Sequence, residues 1–193
     1  MMSLKSRPWN HPARRCSLAA LLAMSGLAAG PATAADAPSA GAAVATAATP
    51  ATDVAAQPLF AASFKDFDRQ QQSLAQYKGK PMVVYFWATW CKSCKQEVPE
   101  LIALHKKYGT KMHVIGIAID NTDKVRQFAQ DNQINYKLLI GSNDAIALSK
   151  QLGNSVGGLP FAVVVDAKGR IVKTLLGETP PGKFEELVRP LIG

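Results

Sequence analysis

The run Met82-Val83-Val84-Tyr85-Phe86-Trp87-Ala88 carries no charge and shows no alternation of apolar with polar residues. A strand of this kind has to be covered on both faces, which places it at the centre of a sheet layered by helices. It is entered from Gly79-Lys80-Pro81 and followed by a helical pattern from Cys91 to Tyr108. At about 100° per residue, Cys94, Val98, Leu101, Ile102, His105 and Tyr108 fall on one side of that helix. Pro99 lies inside it and is expected to kink it.

The pattern then continues through a buried strand, His113 to Ile119, and a helix, Thr122 to Asn132, capped by Asn121 or Thr122. A short strand follows at Tyr136 to Ile140, then a helix from Asp144 to Leu152 closed by Gly153. Phe161 to Asp166 and Arg170 to Leu176 read as a hairpin turning at Ala167-Lys168-Gly169, before a last helix near Gly182 to Leu191. Phe60 to Phe67 reads as an edge strand or hairpin ahead of the core. The expected class is α/β: a mixed central β-sheet with helices on both faces.

The first third of the chain is composed differently. Residues 1 to 34 hold a basic stretch ending at Arg14-Arg15, an apolar run from Leu18 to Ala29 and the small residues Ala32-Thr33-Ala34. That order reads as an export signal cut after Ala34. The apolar run is about a dozen residues where a membrane span needs roughly 20, so an uncleaved N-terminal anchor is the weaker alternative. Residues 35 to 57 are mostly Ala with Thr, Pro and Gly and have no aromatic residue, and they read as a flexible linker. The domain proper is then 58 to 193.

The formal charge of +8 shrinks accordingly, because the signal holds Lys5, Arg7, Arg14 and Arg15 and leaves 18 basic against 14 acidic residues. An excess this small, without a Lys/Arg run, gives no reason to expect nucleic acid as a partner.

Cys16 precedes the apolar run and is lost with the signal, so the exported chain keeps Cys91 and Cys94. Two thiols three positions apart at a helix start close a disulfide with little backbone movement. As a structural staple, such a small loop contributes only about 2 kcal/mol, which a domain with a full core hardly needs. A bond that stabilises little and sits at a strand-to-helix turn is suited to being made and broken. Cys91, in the first turn, meets unpaired N–H groups and the positive end of the helix dipole, with the Lys92 ammonium beside it, and is expected to attack. Cys94, one turn in on the apolar side, is expected to resolve the mixed disulfide.

Zinc would need more ligands, and His105 lies roughly 16 Å down the same helix. Haem attachment would need His where Lys95 stands. Copper(I) accepts two thiolates and is the alternative from a different functional class.

The stretch Tyr85-Phe86-Trp87-Ala88-Thr89-Trp90-Cys91-Lys92-Ser93-Cys94-Lys95-Gln96-Glu97-Val98-Pro99-Glu100-Leu101 resembles the active-site segment of the thioredoxin superfamily. Gly157-Gly158-Leu159-Pro160-Phe161 resembles its cis-proline loop. With the export signal and the Glu97-Val98-Pro99 ending, the chain is most similar to the TlpA/ResA-like branch of extracytoplasmic thiol-disulfide oxidoreductases, over Phe60 to Gly193.

The resemblance implies a thioredoxin-like fold, a redox-active disulfide between Cys91 and Cys94, and no organic cofactor. Its implied partners are disulfide-containing exported clients, such as apocytochromes c or oxidase assembly factors, and a membrane electron donor if the protein acts as a reductant. The implied location is periplasmic or extracytoplasmic.

Two departures from the family pattern are visible. Ser93 stands where the family often has Pro, and Tyr85 stands where thioredoxins proper carry an acid. Glu97, one turn beyond Cys94, is by helical position alone as readily an exposed acid as a proton acceptor; the resemblance assigns it proton transfer. For Pro160 the residue-level expectation is trans, since only about 5–6% of X-Pro bonds are cis. The resemblance implies cis, with Leu159 offering its backbone to an incoming peptide. Trp87 is expected in the core and Trp90 on the substrate-facing rim. His105 is expected as a satisfied core histidine.

Overall fold

A computed structural model describes residues 56–193. The expected signal, and the expected linker up to residue 55, lie outside these residues. Ala56 and Gln57, read above as the linker's end, belong to the packed domain. Ala56 is buried and donates its N–H to Gly169 O at 3.1 Å, and Gln57 opens a helix.

The elements in order are α1 (Gln57–Ala61), β1 (Ser63–Lys65), β2 (Gln71–Ser73), β3 (Met82–Trp87), α2 (Lys92–Tyr108), β4 (His113–Ile119), α3 (Thr122–Asp131), β5 (Lys137–Gly141), α4 (Asn143–Gln151), β6 (Phe161–Val165), β7 (Ile171–Leu176) and α5 (Lys183–Val188). Among the described residues they build one seven-stranded mixed sheet, in the order β2-β1-β5-β4-β3-β6-β7. The centre is parallel, with β3 against β4 and β4 against β5. β6 and β7 extend it antiparallel on one side and β1 and β2 on the other.

Every residue of β3 is buried, as its uninterrupted apolar composition requires. Its side chains divide by parity. Val83, Tyr85 and Trp87 pack with Cys94 and Leu101 of α2, Val125 of α3 and Phe184 of α5. Val84 and Phe86 pack on the opposite face with Leu59 of α1 and Ala145 and Leu148 of α4. The helices on the first face carry α2 against the central strand, and the junction between the two is where the cysteines fall.

Sequence and structure also differ elsewhere in the domain. Phe60 to Phe67, expected as strand or hairpin, is the end of α1 followed by β1, and the hairpin closes only at β2. Pro58 explains the helical start, since its fixed φ and missing N–H suit a first helical turn. The closing helix stops at Val188, and Arg189–Leu191 continues it as a 3-10 turn around Pro190, which has no N–H to donate to the helix. His105 is not satisfied: its Nδ1 is buried without a hydrogen-bond partner. The buried side of α2 is centred on Cys94, Glu97, Val98, Leu101 and Leu104, leaving His105 on the flank.

At the end of β5, Gly141 has no room for a side chain: a Cβ there would come within 2.4 Å of the Ala145 Cβ and 3.1 Å of Ile117 Cγ2. Gly141→Ala is therefore expected to destabilise the domain by about 1–3 kcal/mol through overpacking. Urea unfolding measures this, and an unchanged midpoint would contradict the packing described.

Candidate active site

The loop Ala88-Thr89-Trp90 carries the chain from the end of β3 to the start of α2 and is held from outside. Asp120, at the end of β4, accepts from the Thr89 N–H at 3.0 Å, and its same oxygen accepts a short bond from the Thr89 hydroxyl. Its other oxygen takes the Asn121 N–H at 2.7 Å. Burial pushes the Asp120 carboxyl up, but the bonds from Thr89 and Asn121 outweigh it and hold the group below its ordinary value.

Cys91 is the N-cap of α2. Its backbone is extended, with φ −81° and ψ 109°, and its sulfur accepts from the Cys94 N–H at 3.2 Å, taking the place a Ser or Asp oxygen takes at other helix starts. It is bonded to Cys94 in a disulfide with a Cα–Cα separation of 5.2 Å. The two sulfurs are not equivalent in access: Cys91 keeps 7% of its surface exposed and Cys94 none. The Ser93 hydroxyl lies 3.6 Å from the Cys91 sulfur. Trp90 beside them is 68% exposed, while Trp87 is fully buried.

Glu97 sits one turn beyond Cys94 and is buried, with 4% exposure. Both of its oxygens are engaged. Oε2 accepts from the Tyr85 hydroxyl at 2.7 Å, and Oε1 accepts from the backbone N–H of Thr179 at 2.5 Å. Burial pushes the carboxyl above its ordinary range, against the lowering effect of these bonds and with a small addition from Glu100. Among the described residues no basic side chain pairs with it.

The peptide bond Leu159–Pro160 is cis, so the family likeness and not the residue-level expectation describes it. Asn154, fully buried, clamps the loop before it: its side chain donates to Gly158 O at 2.9 Å and accepts from Gly158 N at 3.1 Å. Pro160 O accepts from Gly177 N at 2.9 Å. The segment that carries Thr179 to Glu97 is thereby also tied to the proline loop. Leu159 packs against the cluster containing Cys91 and Cys94, and neither its N–H nor its C=O has a hydrogen-bond partner among the described residues.

Cys91, Cys94 and Glu97 thus share the start of α2, with Trp90 exposed next to Cys91, and Leu159 packs on the same core cluster. The sequence reading missed the hydroxyl of Tyr85, Thr179, Asp120 and Asn154. Thr179 is 82 positions from the carboxylate it binds, and no local pattern signals such a contact. Asp120 had a signal, since the carboxyl ends of parallel strands are where sites gather in open α/β sheets.

A disulfide at the mouth of a strand-to-helix turn, on a mixed sheet with a cis-proline loop packed to the same core, defines a thioredoxin-fold thiol-disulfide oxidoreductase. The chain belongs to the AhpC/TSA family, whose model matches residues 49–174. It is similar to the thioredoxin-like protein YneN of Bacillus subtilis, 30% identical over 64% of this chain and 72% of that one. It is likewise similar to the thiol-disulfide oxidoreductase ResA of Bacillus cereus, 30% identical over 62% of this chain and 68% of that one. A solved thiol:disulfide interchange protein of the thioredoxin family from Chlorobium tepidum superposes with a TM-score of 0.62 at 25% identity, covering 68% of this chain and 93% of its own.

The tie at Asp120 gives a stability prediction. Asp120→Ala removes carboxylate hydrogen bonds and is expected to cost about 1.5–3 kcal/mol at pH 7. Because the folded-state value is depressed below 3.8, the wild-type lead is complete above that pH and is lost as the pH falls through the folded value. Urea unfolding of both proteins at pH 7 and on acidification checks this; an equal difference at every pH would contradict it.

Proposed function

We propose that this thiol-disulfide oxidoreductase works outside the cytoplasm as a reductant of client proteins, with Cys91 as attacking nucleophile and Cys94 as resolving thiol. The observation that carries the reading is the asymmetry of the pair: Cys91 sits at a helix N-cap and keeps 7% of its surface exposed, while Cys94, within the first turn, keeps none. In the reduced protein the Cys91 thiolate is stabilised by the N–H groups and dipole of α2. It attacks one sulfur of a client disulfide, forming a mixed disulfide and releasing the other client sulfur as a thiolate. Cys94 gives its proton to the Glu97 carboxylate and attacks the Cys91 sulfur. The Cys91–Cys94 disulfide forms, the second client thiolate leaves, and two electrons have passed to the client.

A membrane dithiol donor must then reduce the pair again, since the chain supplies no electrons of its own. Leu159 presents its unpaired backbone groups to an extended client segment by strand addition, and Trp90 forms an apolar rim beside the reacting sulfur. Export rests on the signal-like order of residues 1 to 34. Among the described residues no helix is long and apolar enough to cross a membrane. Clients whose cysteines must be reduced before haem or copper is attached, as in cytochrome c or oxidase maturation, fit a dedicated reductant of this type.

The copper(I) alternative rests on the same two sulfurs. Among the described residues no group of three or more His, Cys, Asp or Glu side chains comes together around them.

Cys94→Ser, expressed in the native host, is expected to accumulate covalent client adducts on Cys91 that are released by dithiothreitol and identified by mass spectrometry. Cys91→Ser is expected to accumulate none. A folded Cys94→Ser protein without adducts would refute the exchange reading. Stoichiometric copper(I) binding by the reduced wild type, with no reduction of insulin disulfides, would favour the alternative.

A further inference from the structure

Tyr85 stands in the middle of β3, the most buried strand of the sheet, with no exposed surface. Strand positions on this face are otherwise filled by Val83 and Trp87, and a phenol is an expensive choice among them unless its hydroxyl is paired. Its ring packs edge-on against Phe184 of α5, with centroids 6.1 Å apart and planes at 90°, which fixes the direction of the hydroxyl. That hydroxyl lies 2.7 Å from Glu97 Oε2 and 3.2 Å from the carbonyl oxygen of Cys94. It therefore bridges the residue that resolves and the residue that takes its proton.

We propose that Tyr85 is a positioning residue for proton transfer from Cys94: its hydroxyl holds one Glu97 oxygen, while Thr179 N–H holds the other. The proposal rests on the reading that Cys94 resolves and Glu97 accepts its proton. In that step the Cys94 S–H bond breaks, the proton goes to a Glu97 oxygen, and the sulfur keeps the electron pair with which it attacks Cys91. Tyr85 gives up no proton. Burial and the Glu97 charge push its own ionisation far above the physiological range, so it stays a donor throughout.

Its effect is to stabilise the carboxylate form of Glu97 at a place where burial opposes it. The groups acting on Glu97 are Glu100 from its own helix, Tyr85 from β3, which is itself influenced by Tyr136, and Thr179 from the loop after β7, which also bears Glu178; Cys94 lies one turn before it on α2. Of these, Tyr85 and Thr179 lower its value, Glu100 raises it, and among the described residues no cation pairs with it.

The test is the pH dependence of the two steps, measured separately. The full chain carrying Cys16→Ser is reduced and mixed with 5,5′-dithiobis(2-nitrobenzoate). Attack by Cys91 releases the first thionitrobenzoate and resolution by Cys94 the second. In Tyr85→Phe the midpoint of the second phase is expected to move up by about one pH unit or more, slowing that phase about tenfold below the midpoint. The first phase should keep its profile. Tyr85→Phe added to Glu97→Gln should shift nothing further.

A purely structural role would slow both phases at all pH values, and that result overturns the proposal, as does an unmoved midpoint in folded Tyr85→Phe. Should Tyr85→Phe fail to fold, Tyr85→3-fluorotyrosine decides. It keeps the hydroxyl and strengthens its donation, so the midpoint should move down, and an unmoved midpoint overturns the proposal. A wild-type chain with no second phase sinks the resolving role of Cys94 and the proposal with it. A normal second phase with an unmoved midpoint sinks the proposal alone.

Discussion

The structure depends on one placement: the Cys91 sulfur at the N-cap of α2, accepting the Cys94 N–H. Helix starts leave N–H groups without partners, and most proteins answer them with an oxygen. Here the answer is a sulfur, and a sulfur in that position is stabilised as an anion by the same groups that need it as an acceptor. The remaining features either hold this placement still or make use of it. β3 is buried on both faces, so its end is a rigid departure point. Asp120 anchors Thr89 two residues before Cys91, and Cys91 N bonds back to Ala88 O at 3.2 Å. The Cys91 sulfur sits at the end of a braced turn and not on a free loop.

Beneath the surface the protein bears a cost that the fold itself does not require. A carboxyl group with 4% exposure lies among apolar side chains, and its charged form is opposed by burial. A purely structural solution would place an aliphatic residue there. Instead three separate segments converge on it: α2 supplies the carboxyl, β3 the phenol, and the loop after β7 a backbone N–H. The loop after β7 is also bonded to Pro160, so the cis-proline segment and the carboxyl share one support. Perturbed carboxyl groups in such settings are a recurrent mark of acid–base sites.

Much of this was legible in the sequence because it is local. The unbroken apolar run at Met82 to Ala88 announces a central strand, the spacing of Cys91 and Cys94 announces an exchangeable bond, and Gly153, Gly169 and the Asn121 cap mark boundaries near where they occur. What failed to show is non-local. β2 is three polar residues, Gln71–Ser73, whose strand character comes from pairing with β1 and not from any pattern of its own. The burial of Glu97 was undecided from helical position, since it depends on how far α2 is rotated about its axis, and the packing of Leu104 settles that rotation. The cis bond at Pro160 ran against local statistics and followed the family likeness. Tyr85 was marked in the sequence only as standing where thioredoxins proper carry an acid; its bond to Glu97 is visible only in the structure.

The central claim is that one sulfur is ionised and reachable while its neighbour is sealed. The direct measurement is alkylation of the reduced protein across pH 4 to 10, with the modified residue identified by mass spectrometry. Cys91 should react first and with a midpoint well below the ~8.5 of free cysteine, and Cys94 should stay unmodified until the domain is loosened by denaturant. Equal rates at the two sulfurs, or a Cys91 midpoint no lower than that of free cysteine, would contradict the account.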